Sequence, residues 1–145
     1  MAKAPAGMVS WGPGWRAELN AAPTRRLRHE WRAACLEGLD HAQKPVQLRW
    51  TRVLRNLTPF LCGPLELLRS SLDSAYRCAR WGGLEETEAQ IQVERARVAE
   101  VLRIHRPLLR VYRAVRLWRS MRTTLPALRE LAEMEAEELA WEEVA

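Results

Sequence analysis

No run of β-branched residues alternates with polar ones in this 145-residue chain, while apolar residues return every three or four positions over most of its length. Such a chain can bury its apolar residues only by laying helices side by side. We therefore expect an all-α protein, a helical bundle of about five helices. The length suits one domain that buries a core without disulfide or metal staples.

Proline and glycine divide the chain. Residues 1–23 contain Pro5, Gly7, Gly12, Pro13, Gly14 and Pro23, and read as a flexible arm ahead of one helical domain over residues 24–145. Trp11 and Trp15 stand in that arm, where solvent exposure of an indole pair is costly. They are expected to pack on the core or to contact a partner.

Thr24 can cap a helix whose apolar positions are Leu27, Trp31, Ala34, Cys35 and Leu39, ending near Gln43. Pro45 can open a second, with Val46, Trp50, Val53, Leu54 and Leu57 on one face. The segment "TPFLCGP", residues 58–64, reads as a turn-rich connection. Pro64 suits the first turn of a third helix, striped by Leu65, Leu68, Leu72, Ala75, Tyr76 and Ala79 and stopped by Gly82 and Gly83.

A fourth helix begins at Leu84, with Glu85, Glu86 and Glu88 where carboxylates complement the positive end of the helix dipole. Its apolar line of Leu84, Ile91, Val98, Val101 and Leu102 carries across Pro107 as Ile104, Leu108, Val111 and Val115. The reading is one long, proline-kinked helix over about 84–123, or two helices stacked end to end. At 1.5 Å per residue, roughly 40 residues would reach about 60 Å. Thr123, Thr124 and Pro126 then suit the start of an acidic C-terminal helix.

Charge is segregated along the chain. There are 21 arginines but 2 lysines, and the formal net charge is +5. Residues 1–84 carry 13 basic and 6 acidic side chains, residues 85–124 carry 9 and 5, and residues 125–145 carry 1 and 7. Residues 102–122 hold seven arginines and no carboxylate. On a wheel, Arg103, Arg106, Arg110 and Arg113 form one face opposite Ile104, Val111 and Val115, and Arg116 follows three residues on.

Three uses of this face compete. It can bind DNA or RNA without sequence preference, with four phosphate contacts giving a salt slope near about −3.6. Stacking of bases on Tyr112 and Trp118 would help, but both map at or near the apolar sector and are expected in the core. Alternatively, the acidic tail folds back as a hairpin at Thr123 to Pro126 and pairs with the arginines. The third use, lying on a membrane surface, is disfavoured by the scarcity of lysine and by the core-like stripe.

The three cysteines, Cys35, Cys62 and Cys78, show no metal-ligand spacing and fit a reducing cytoplasm. His29, His41 and His105 are scattered, and no phosphate-cradling loop or zinc motif occurs. We expect no enzyme, no cofactor and no metal. The leading expectation is a non-enzymatic module for protein–protein contact, as an oligomer or a subunit of a larger assembly. Leu102, Leu109 and Leu117, which flank the arginine face, are its candidate partner contacts.

Overall fold

A computed structural model describes residues 25–47 and 57–144, with residues 57–63 described in backbone alone. These residues form four helices, α1 (Arg25–Val46), α2 (Leu57–Gly82), α3 (Glu85–Leu102) and α4 (Pro107–Val144), and no strand. The protein is all-α, and the expected count of about five falls to four among the described residues. Residues 1–23, with Trp11 and Trp15, lie outside them. So does most of the helix expected from Pro45.

Neighbouring helices run antiparallel. Both α1 and α3 pack against α2 and α4, while α2 and α4 touch only slightly across the middle. Leu39, Leu68, Leu72, Ile91, Met121 and Leu125 are essentially inaccessible to solvent and form the shared core. Packing between α1 and α2 is closest at Gly38, where an added Cβ would stand 3.0 Å from the Ala75 Cβ and 3.1 Å from its backbone. A side chain at position 38 would push the two helices apart.

The turn between α2 and α3 follows from two adjacent residues. Gly83 takes φ 80°, a conformation that side chains disfavour, and the Leu84 N–H then donates to the Ala79 carbonyl at 2.9 Å. Leu84 itself is fully buried, which anchors the turn in the core.

Four expectations require correction. The first is the long kinked helix: the chain turns at residues 103–106, and α4 returns antiparallel to α3. Proline is free of cost in the first turn of a helix and expensive within one, so Pro107 starts α4 instead of bending α3. The apolar period read across it is not a core stripe, since Leu108 is exposed and Ile104, Val111 and Val115 are only half-buried.

The second concerns the acidic helix, which is not separate. α4 runs through Pro126 without interruption, since Met121, Leu125, Leu128 and Ala132 keep the buried period on both sides. Pro126 is exposed, so water can reach the carbonyl it leaves unbonded. The third correction places residues 58–64 inside α2, and the fourth extends α1 from Gln43 to Val46 through Pro45.

Candidate functional site

α4 is a 38-residue helix whose two halves differ in charge. Its first half carries Arg110, Arg113, Arg116, Arg119 and Arg122, and its second half carries seven glutamates and Arg129. The hairpin expected between acidic tail and arginines does not form, because both lie on the same rod. Arg116 and Glu137 are 21 residues apart on it, about 32 Å along its axis.

The acidic half instead meets α1 and α3. Glu143 accepts hydrogen bonds from Arg28 Nε and Arg32 Nη2, each at 2.9 Å. Burial pushes its carboxyl upward, but the hydrogen bonds from Arg32 and Arg28 outweigh this and hold it below the ordinary value. Glu135 accepts from the Glu86 N–H at 3.0 Å, the Thr87 N–H at 2.9 Å and the Thr87 hydroxyl at 2.6 Å. It therefore caps the start of α3 from another helix. Arg129 pairs with Asp40 of α1 and with Glu133 of its own helix.

The five candidate arginines are distributed differently. Arg103 is the C-cap of α3 and lines the α2–α3 seam near Arg69, Arg95 and Asp73. Arg106 is exposed in the turn, and its carbonyl receives the Arg110 N–H at 2.9 Å. Arg110 is half-buried, and its Nε has no hydrogen-bond partner among the described residues. Arg113 and Arg116 are exposed and border a hollow of about 280 Å³ on the α3–α4 seam with Arg97 and Glu100. Among the described residues, no carboxylate pairs with Arg103, Arg106, Arg110, Arg113 or Arg116. They gather at one end of the bundle, around the α3–α4 turn, instead of forming a single helical face.

Three leucines were also candidates. Leu117 is 4% exposed and belongs to the core, Leu102 packs partly against it, and Leu109 alone is exposed. The expected apolar line through Leu108, Val111 and Val115 is rotated away from the real one. In this part of α4, Ala114, Leu117, Trp118 and Met121 are buried, whereas Leu108 is 86% exposed. Trp118 lies in the core as expected, but Tyr112 does not; it is 57% exposed, with the Arg116 guanidinium 5.8 Å from its ring centroid.

Comparisons with protein-family models, curated proteins and solved structures find no match.

Sequence reasoning missed the outer line of α4. Tyr112, Met134, Trp141 and Val144 are large, apolar and more than half exposed, and all lie on the side facing away from the core. A wheel started at Pro107, with its core direction fixed by Leu117, Met121, Leu125 and Leu128, would have found them. Among the described residues, no cluster of His, Cys, Asp or Glu could hold a metal, and no helix is long and apolar enough to cross a membrane.

Proposed function

We propose that the chain is a non-enzymatic protein–protein interaction module of the cytoplasm, a subunit or adaptor in an assembly, and that the outer face of α4 is its docking surface. The carrying observation is Trp141, 71% exposed, in line with Met134 and Tyr112 and covered by no other described helix. Large apolar side chains aligned on one helix face mark contact sites in soluble proteins. Tyr112, with the Arg116 guanidinium over its ring, is an aromatic–arginine pair of the kind enriched at interfaces.

The test is co-purification of the intact chain, with and without nuclease, against Trp141→Ala and Tyr112→Ala variants. Protein that survives nuclease and is lost with either variant supports the reading. Bound material that is indifferent to both variants overturns it.

A second reading rests on the arginines that lack a carboxylate at the α3–α4 turn: sequence-independent binding of DNA or RNA. Binding would then weaken steeply with salt and fall when Arg103, Arg106, Arg113 and Arg116 are changed to alanine. Affinity unaffected by either change rejects this reading.

A further inference from the structure

The outer face of α4 is complementary to itself when reversed, and we infer that a second copy of this chain docks on it, α4 against α4, antiparallel about a two-fold axis near Pro126 and Ala127. The inference rests on the interaction-module reading above and names its partner.

Exposed residues of α4 recur in steps of four and seven, at Tyr112, Arg116, Thr123, Glu130, Glu137 and Trp141. At 100° per residue these positions span an arc of about 60° opposite the buried stripe. This is the spacing of a helix–helix seam, with aromatic residues at its two ends and charged or small residues between them.

Reversal brings unlike halves together. With Pro126 opposite Ala127 of the other copy, Tyr112 meets Trp141, and Arg116 meets Glu137. The same register sets Leu109 against Val144 and Thr123 against Glu130. Each contact occurs twice, as a two-fold interface requires. Arg116 and Glu137 form no ion pair among the described residues of one copy, and their separation along the rod prevents one. At the crossing, Thr123 and Ala127 are small and exposed, which lets the two backbones approach. A parallel pair would instead set arginine against arginine and glutamate against glutamate.

Sedimentation velocity on the full chain tests the inference. A dimer is expected, with Trp141→Ala weakening it at least about tenfold. Arg116→Glu and Glu137→Arg should each weaken it, and their combination in one chain should restore it. All these positions are exposed, so an unchanged helical circular dichroism signal shows that each variant folds. Orientation is read by oxidative cross-linking: a Tyr112→Cys chain should link to a Trp141→Cys chain and not to itself, because the two 112 positions stand about 43 Å apart.

A chain that is monomeric at all concentrations, a charge swap that fails to restore association, or a link between two Tyr112→Cys chains overturns the inference. Failure here is distinguishable from failure of the broader reading. A monomer that still retains a nuclease-resistant, Trp141-dependent protein partner ends the dimer alone. A monomer with no such partner ends both.

Discussion

Arg32 and Glu143, separated by 111 residues in sequence, meet at 2.9 Å and join the start of α1 to the end of α4. Arg32 is buried, and its Nε also donates to the Gly82 carbonyl at 2.9 Å, tying the end of α2 into the same junction. Gly82 leaves the room for this, since a Cβ there would lie 3.0 Å from Arg32 Cγ. A buried guanidinium requires an anion close by, and Glu143 is that anion.

Glu143→Ala should destabilise the fold by about 2 to 3 kcal/mol in urea denaturation. This is less than the ~3 to 5 kcal/mol of a fully buried pair, because water reaches part of the carboxylate. Glu143→Gln tests the charge. The Glu143 carboxyl titrates below its ordinary 4.5 in the folded chain, so its contribution is complete above that value and is lost as pH falls through the folded value. The glutamine variant should show a shallower loss of stability on the acid side, and an unchanged acid profile would refute this role.

Glu135 accepts three hydrogen bonds at the first turn of α3, where the Leu84 N-cap side chain makes none. Glu135→Ala should cost about 1 to 2 kcal/mol, the range of a lost N-cap. Hydrogen exchange should quicken at Glu86 and Thr87 before it does in the middle of α3. Uniform exchange across α3 would mean that the cap does not act locally.

Pro126 stands inside α4, exposed, with no N–H to donate. Pro126→Ala restores that bond and should raise thermal stability by about 1 to 3 kcal/mol at the midpoint. Destabilisation would mean that the Pro126 ring itself supports the packing of α4.

Cys35 and Cys78 are buried on the facing sides of α1 and α2. Burial, with the neighbouring Cys78, pushes the Cys35 thiol up to about 12; burial, partly offset by Arg77, pushes Cys78 up to about 11. Both should be alkylated at least about a hundredfold more slowly in the folded chain than in urea, as followed by peptide mass. Rapid native labelling of either would show that this seam opens.

Local pattern determined a good part of this protein. The stripe of Leu65, Leu68, Leu72 and Ala79 located α2, the glycines at 82 and 83 ended it, and the acidic first turn of α3 followed from Glu85, Glu86 and Glu88. Period and turn chemistry act over a few residues and can be read from them. The arginine candidates were visible too, but their arrangement was not. Whether Pro107 bends a helix or begins one, and whether Pro126 begins one or sits inside it, depends on which side of each segment meets the core. Tertiary packing alone decided those points: the energy of burying Leu117, Met121, Leu125 and Leu128 exceeds the cost of one missing backbone hydrogen bond. It also turned Tyr112 and Trp141 outward and gave Glu143 to Arg32, since partners more than a hundred residues apart leave no trace in local spacing.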